Sequence, residues 1–345
     1  MIEHFKNRYS AQIVSVLVFL LLGNTIQAQD IAQILSASNS LERAEVHWVD
    51  QWPTNSNKPG EKKDKRSFWD IILGKKKQGI NRPVSLVAKN KNSFWVLDQE
   101  NNAILQVNKE VGKTPNYITK RDFHFSSLVG ICNFRKDEIL VTDSYLNKIF
   151  LINSEKKECL IFNDSLKLDK PTGIAYSPLT HEIWLLETGA HRIIVLNEKG
   201  EILRSVGSRG NAKGEFNFPT HIWIDKIGNI YVADAMNFRI QIFNSEGVVL
   251  SVFGSNGDAT GFFASPKGIA TDSYGNIYVA DALFHAVQVF DFTGNFLYTF
   301  GSQGQGEGEF WMPSGIYIDD DNIIYIADSY NSRIQIFQLV TGGKK

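Results

Sequence analysis

Short apolar runs, each bounded by turn residues, recur along most of the chain. The stretch "GNIYVADAMNFRIQIF" at 228–243 returns as "GNIYVADALFHAVQVF" at 275–290 and as "NIIYIADSYNSRIQIF" at 322–337. Within each copy, runs rich in Ile, Val, Tyr and Phe end at Gly, Asn or Asp, which is typical of β-strands joined by tight turns. No helical period separates these runs, so the pattern predicts antiparallel hairpins.

Six copies of one unit can be aligned on a PxGI-like start. They begin at Pro83, Leu128, Pro171, Pro219, Pro266 and Pro313. Each copy reads as four short strands, and Gly228, Gly275 and Asn322 fall at a turn that is expected to need a positive φ. Four-stranded units with a period of about 40 to 50 residues are the signature of a β-propeller. The predicted fold is therefore all-β: a six-bladed β-propeller of four-stranded antiparallel blades.

The sixth copy ends after its third strand, so an N-terminal strand is expected to close the ring. Two segments can supply it, "EVHWVDQW" at 45–52 and "FWDIILG" at 68–74. The first is favoured, because Ser67 with Asp70 resembles a helix-capping box and predicts a short helix over 68–77.

The first 28 residues have the layout of a secretory signal peptide. Lys6 and Arg8 precede an apolar run over 13–23, and the small-residue cleavage motif IQA follows at 26–28. The run is shorter than the roughly 20 residues that a membrane-spanning helix needs. An extracytoplasmic location, periplasmic or secreted, is expected, with no membrane span after cleavage. The predicted division is 1–28 signal peptide, 29–82 N-terminal segment with the closing strand, and 83–340 propeller.

Charge and cysteine content narrow the partners and the source of stability. Lys plus Arg number 36 and Asp plus Glu number 37, so the balance gives no basis for binding nucleic acid. Basic residues concentrate at 58–77, where a solvated tether or a contact with an anionic surface is expected. Cys132 and Cys159 are expected in the first and fourth strands of one blade, about 14 Å apart, which is too far for a disulfide. Both are therefore expected to be reduced core residues.

The phrases PxGI, GNIYVAD and RIQIF, followed by FGxxGxxxGxF, resemble the NHL repeat over residues 83–337. The resemblance implies a six-bladed propeller but no single activity, because NHL proteins include RNA-binding domains, an amidating lyase and secreted binding proteins. The segments "RGNAKGEFNFPTHIWID" and "GEFWMPSGIYIDD" resemble a secreted bacterial NHL subgroup often encoded beside multi-haem c-type cytochromes. That resemblance implies a multi-haem cytochrome as a protein partner. The chain itself has no CxxCH motif, and no cofactor is expected.

A carboxylate ends the second strand of every copy and is expected to stabilise the blade. The six are Asp98, Asp143, Glu187, Asp234, Asp281 and Asp328. Arg239 and Arg333 are placed to pair with the carboxylates of their own copies, whereas copy five has Ala286 there, which leaves the role of its carboxylate open. A recurring phenylalanine is expected to pack between blades: Phe216, Phe263 and Phe310.

Residues that differ between copies lie in the loops after the second strand and in the segments before the first. In a propeller both emerge on one face around the central channel, so this face is predicted to bind a protein partner through apolar anchors. Its candidates are Tyr145, Phe218, Met236, Phe238, Leu283, Phe284, Trp311 and Tyr330. The alternative is that several of these side chains fold inward and pack on neighbouring blades.

Three histidines are candidates for a metal site. His191 and His285 share one loop position two blades apart, and His221 replaces the glycine found near the start of most inner strands. A metal ion needs about three ligands that converge on one point, which this spacing does not favour, so an isolated or hydrogen-bonded role is expected for these histidines instead. A non-catalytic binding or scaffolding module is the leading expectation, and a metal-dependent lyase or lactonase with a site at the central channel is the alternative.

Overall fold

The computed structural model describes residues 44–53, 79–90, 92–109, 116–117, 124–153, 155–156 and 158–341. The predicted signal peptide, the segment 68–74 and the basic stretch 58–77 lie outside the described residues. One compact unit covers residues 46–338 and holds the blades. The described residues 44, 45 and 339–341 belong to a second unit. None of the helical segments in the described part of the chain reaches the length and apolarity that a bilayer span requires.

The described residues form six four-stranded sheets, which are the blades of a six-bladed β-propeller, as predicted. After β1 (Ala44–Trp52), blade 1 holds β2 (Pro83–Asn90), β3 (Ser93–Asp98), β4 (Ala103–Asn108) and β5 (Asn116–Tyr117), and blade 2 holds β6 (Leu128–Asn133), β7 (Glu138–Asp143), β8 (Lys148–Asn153) and β9 (Glu158–Ile161). Blade 3 holds β10 (Pro171–Ser177), β11 (Glu182–Glu187), β12 (Arg192–Asn197) and β13 (Ile202–Val206). Blade 4 holds β14 (Pro219–Ile224), β15 (Ile230–Asp234), β16 (Arg239–Phe243) and β17 (Val249–Phe253), and blade 5 holds β18 (Pro266–Thr271), β19 (Ile277–Asp281), β20 (Ala286–Phe290) and β21 (Phe296–Phe300). Blade 6 holds β22 (Pro313–Ile318), β23 (Ile323–Asp328) and β24 (Arg333–Thr341).

The sixth blade takes its outer strand from the N-terminal side of the ring. Its strand order is β1-β24-β23-β22, so an N-terminal strand closes the ring as expected, and it is the favoured segment 45–52 that does so. Gln51 joins the two outer strands, because its Oε1 accepts a hydrogen bond from Arg333 Nη1 at 3.0 Å. Trp52 packs edge-on against Phe94 of blade 1, with 6.0 Å between ring centroids. The closing strand thus contacts both blades at the seam.

Glycines at the third position of the inner strands let neighbouring blades approach closely. A Cβ on Gly130 would lie 2.1 Å from the carbonyl oxygen of Thr172, and one on Gly268 would lie 2.3 Å from that of Ser314. Because the obstructing atoms belong to the backbone of the next blade, no side chain fits without moving a strand. The repeated Gly-Ile pairs therefore reflect the packing of inner strands around the channel.

Large side chains fill the spaces between adjacent blades. The predicted phenylalanines are fully buried, and Phe216 packs in one cluster with Trp184 of blade 3 and Phe243 of blade 4. Cys132 and Cys159 are buried in two different clusters with no disulfide between them, as expected. Burial raises the pKa of the Cys132 thiol to about 12. The described core is therefore held by packing between blades.

Candidate functional site

The loops after the second strands lie beside the segments that precede the first strands. In blade 4 the N–H of Met236 donates to the carbonyl oxygen of Asn217 at 3.1 Å, and in blade 6 the N–H of Tyr330 donates to that of Trp311 at 3.1 Å. The two kinds of segment therefore form one surface. This loop face comprises 99–102, 144–147, 188–191, 235–238, 282–285 and 329–332, together with 81–82, 126–127, 169–170, 217–218, 264–265 and 311–312.

Four backbone N–H groups converge on the fully buried carboxylate of Asp281. Those of Ala264 and Ser265 donate at 2.8 and 2.9 Å, and those of Leu283 and Phe284 donate at 3.1 and 3.3 Å. Hydrogen bonds from neutral donors to an ionised oxygen are strong enough to hold both segments of the loop face in place. Although this blade lacks the arginine of copies four and six, its carboxylate has a structural role.

Blade 6 satisfies its carboxylate in a second way. Asp328 Oδ2 accepts from Arg333 Nε at 2.8 Å, so the expected ion pair is present, and Oδ1 accepts the N–H of Trp311 at 2.7 Å. The next residue, Met312, has a φ of 52°. Its N–H turns away from the carboxylate and donates to His285 Nδ1 of blade 5 at 3.0 Å. The loop histidine of one blade therefore anchors the first strand of the next.

The same arrangement occurs at the starts of blades 3 and 4. In blade 3, Glu187 pairs with Arg192, and the N–H of Lys170 donates to Asn147 Oδ1 of blade 2 at 2.9 Å. In blade 4, Asp234 pairs with Arg239, and the N–H of Phe218 donates to His191 Nδ1 of blade 3 at 3.1 Å. The residue at the same loop position differs in two other blades. In blade 6 it is Ser332, whose Oγ donates to the Asn81 carbonyl oxygen at 2.6 Å. In blade 4 it is the apolar Phe238. Histidine or asparagine thus stands as an acceptor before each blade that carries the arginine.

All three candidate histidines accept a backbone N–H at Nδ1, since His221 does so from Ile269 at 3.3 Å. His191 and His285 therefore serve contacts between blades. Among the residues that the structure describes, no three His, Cys, Asp or Glu side chains are placed to hold a metal ion. The described residues therefore provide no set of metal ligands for the lyase or lactonase alternative.

Six of the eight predicted partner-binding residues are exposed on the loop face. Their exposed fractions are 76% for Tyr145, 40% for Phe218, 55% for Met236, 57% for Leu283, 42% for Trp311 and 51% for Tyr330. Phe284 is partly buried, and so is Phe238, which packs against the core between blades 4 and 5. The alternative of inward packing therefore describes Phe238, while the six exposed residues on the loop face are here called the crown.

Two crown aromatics stack where blade 6 meets blade 1. The rings of Trp311 and Tyr330 are stacked, with centroids 6.2 Å apart and planes at 30°. The guanidinium of Arg82 lies 5.8 Å from the centroid of the Tyr330 ring, a distance at which a cation is attracted to an aromatic face. An aromatic pair with a cation beside it thus borders the channel.

Inside the crown, the mouth of the channel is a cavity of about 330 Å³ to which all six blades contribute. Arg82, Lys267 and His221 line it, and none of its described lining residues is Asp or Glu. Burial of the His221 imidazole lowers its pKa to about 4, so it is neutral near pH 7. The sequence analysis did not single out Arg82 or Lys267. Each is a basic residue next to the first residue of an inner strand, since Arg82 precedes Pro83 and Lys267 follows Pro266. That position was the available signal.

Aromatic side chains narrow the opposite end of the channel. Trp223 and Tyr317 pack edge-on with 5.5 Å between ring centroids. Tyr317 Oη also accepts from Asn133 Nδ2 at 3.3 Å, and Trp223 Nε1 donates to Thr271 Oγ1 at 2.9 Å. These contacts link blades 2, 4, 5 and 6 across the channel.

A second cavity, of about 480 Å³, lies at this opposite end and is lined by several carboxylates. They are engaged in their own turns: Asp272 Oδ1, for example, accepts the N–H groups of Tyr274 and Asn276 at 2.9 Å. Burial raises the pKa of Asp272 and of Asp319. The opposite end of the channel is therefore lined by carboxylates, whereas the described lining of the channel mouth holds Arg82 and Lys267 and no carboxylate.

This geometry defines a six-bladed β-propeller with one loop face of exposed apolar side chains. Residues 162–252 and 263–343 match the family model DUF5128, described as a 6-bladed beta-propeller. No curated protein matches the chain. The narrower resemblance to NHL proteins and to their secreted subgroup stays a prediction.

Solved propellers share the fold at low sequence identity. An auxiliary nutrient binding protein from Bacteroides thetaiotaomicron VPI-5482 is 15% identical with a TM-score of 0.60, over 76% of this chain and 70% of that chain. One from Bacteroides ovatus ATCC 8483 is 14% identical, also with a TM-score of 0.60 and the same coverage. Virginiamycin B lyase from Staphylococcus aureus is 17% identical with a TM-score of 0.54, over 75% of this chain and 96% of that chain. Since binding proteins and a lyase both occur here, the likeness shows the fold and leaves the activity to the site.

Proposed function

We propose that the protein is a non-catalytic, extracytoplasmic propeller that binds a protein partner on its loop face. The observation that carries the proposal is the crown, where six large apolar side chains stay exposed although their neighbours are firmly fixed. Exposed apolar groups on rigid loops around a concave mouth are what an interface anchor needs. A binding role is also proposed by analogy, because two auxiliary nutrient binding proteins share the propeller fold.

The rigidity of the loops supports binding rather than simple exposure. Each carboxylate at the end of a second strand is at most 1% exposed, and Asp143 and Asp281 each accept amides from both segments of the loop face. A preorganised surface loses little conformational entropy when a partner docks. The partner that the resemblance implies is a multi-haem c-type cytochrome, and the location that the leader implies is the periplasm or the exterior.

The test replaces two crown residues with serine and uses as a control the same replacement at an exposed apolar residue on the opposite face. Tagged wild type, the double variant Trp311→Ser/Tyr330→Ser and the control Ile227→Ser, at a position 80% exposed on the opposite face, are used to capture partners from the native envelope fraction. The double variant is expected to lose a partner that wild type and control retain, and haem staining shows whether it is a cytochrome. Equal capture by all three proteins would refute the proposal.

A further inference from the structure

We propose that the channel mouth binds a carboxylate whose apolar or aromatic body rests on the crown. This inference rests on the proposed function, because it names the chemistry that the binding face selects. It is carried by Arg82, Lys267 and His221, which meet in one cavity with no Asp or Glu among the described lining residues.

No described carboxylate pairs with the side chain of either cation. Within the described residues neither Arg82 nor Lys267 has an ion-pair partner; Arg82 Nη2 donates to the neutral Gln99 Oε1 at 3.2 Å. Two such charges in one concave mouth attract an anion and raise its local concentration. A planar guanidinium also matches the two oxygens of a carboxylate.

Lys267 occupies the strand position at which blades 3 and 6 have a hydroxyl residue, and in those blades that hydroxyl contacts a second one in the loop. Thr172 lies 2.6 Å from Thr188 and Ser314 lies 2.8 Å from Ser329 through their side-chain oxygens. Blade 5 replaces this pair with Lys267 and Ala282, both of which line the mouth. The lysine therefore does not serve the contact that its counterparts serve, and its ammonium group is left for the cavity.

The other polar groups of the mouth favour an acceptor as ligand. Because His221 Nδ1 accepts the N–H of Ile269, the neutral imidazole carries its proton on Nε2, which is a donor. Thr220 Oγ1 has no hydrogen-bond partner among the described residues. Beside them the stacked Trp311 and Tyr330 offer an aromatic platform for the body of the ligand.

The probes are phenylacetate and its neutral isostere phenylacetamide, titrated into the full chain by calorimetry. The loss of one charge-assisted contact changes affinity by about tenfold or more. Phenylacetate is therefore expected to bind about tenfold more tightly than the amide, and Lys267→Gln and Arg82→Gln are each expected to weaken it by a similar factor. Lys226→Gln, at an exposed position on the opposite face, should leave the affinity unchanged.

A second arm separates the two sources of such a carboxylate. A short peptide ending in a free phenylalanine carboxylate, compared with its C-terminal amide, shows whether a polypeptide end binds better than the small acid. Equal affinity for phenylacetate and phenylacetamide, no binding of either acid, or full affinity in both the Lys267 and Arg82 variants would overturn the inference. If the double variant Lys267→Gln/Arg82→Gln captures the native partner normally while the Trp311→Ser/Tyr330→Ser variant does not, the binding function stands and the carboxylate site falls.

Discussion

Replacing His221 with glycine should make the protein less sensitive to mild acid. Four of the other blades carry glycine at this position of the inner strand, so His221→Gly restores the common residue. In the folded protein, burial lowers the pKa of the imidazole from 6.5 to about 4. The unfolded chain therefore binds more protons than the folded one between these values, and the free energy of unfolding falls as pH falls through that window.

The size of the effect follows from the two pKa values. The contribution is fully present above the unfolded pKa of 6.5, and its complete loss below the folded pKa of about 4 amounts to about 3 kcal/mol. Between pH 7 and pH 5 the linkage relation gives a loss of about 2 kcal/mol. Because other groups titrate in both proteins, the difference between wild type and His221→Gly isolates this residue.

The assay is urea unfolding of both proteins at half-unit steps from pH 7.5 to pH 4.5, followed by circular dichroism. The free energy of unfolding of wild type should fall by about 2 kcal/mol more than that of the variant between pH 7 and pH 5. The offset between the two proteins at pH 7.5 does not matter, because only its change with pH is used. Parallel curves, or a variant that is the more acid-sensitive of the two, would refute the burial of a neutral imidazole at the mouth.

Three further predictions concern the fold and can be measured by urea unfolding at pH 7. Gly130→Ala should destabilise the folded protein by about 3 kcal/mol or more, since its Cβ would meet backbone atoms of the next blade. Gly275→Ala should cost about 1 kcal/mol, because its Cβ would have open space but its φ is 83°. Equal losses of stability in the two variants would contradict the steric argument. Asp328→Asn should cost about 3 kcal/mol because it leaves a buried arginine unpaired, and an unchanged midpoint would remove that role. His285→Leu should cost about 1 to 3 kcal/mol by orphaning the N–H of Met312; full stability would show that water replaces the acceptor.

The fold was predictable because its determinants are local and repeated. Gly228, Gly275 and Asn322 indicated a turn with positive φ, and their φ angles are 92°, 83° and 58°. Every first strand begins at the residue on which its copy was aligned. The closing strand was harder, because its pairing with β24 depends on contacts between the two ends of the blade region, such as that of Gln51 with Arg333.

The site was less predictable, because comparing copies position by position ignores contacts between neighbouring blades. The sequence placed His191 and His285 at one loop position without showing what they contact, and the structure shows that each accepts a hydrogen bond from the blade that follows it. Comparing each loop with the blade that follows it would have shown that a loop acceptor precedes a blade with an arginine, since His191 precedes Arg239 and His285 precedes Arg333. Phe238 was likewise predicted to bind a partner, yet its partly buried side chain packs against the core between blades 4 and 5.

Variation between copies thus has two physical origins that the structure separates. Where a variable residue finds a partner in the adjacent blade, as His285 does with Met312, its identity is fixed by assembly. Where it stays exposed, as Tyr145 does, assembly leaves its identity unconstrained. Lys267 belongs with this second group, because its blade lacks the hydroxyl partner that other blades provide. Large apolar side chains that stay exposed together are costly in water. A lysine in a concave mouth with no carboxylate partner among the described residues attracts an anion, so the crown and the channel mouth are the places to seek a ligand.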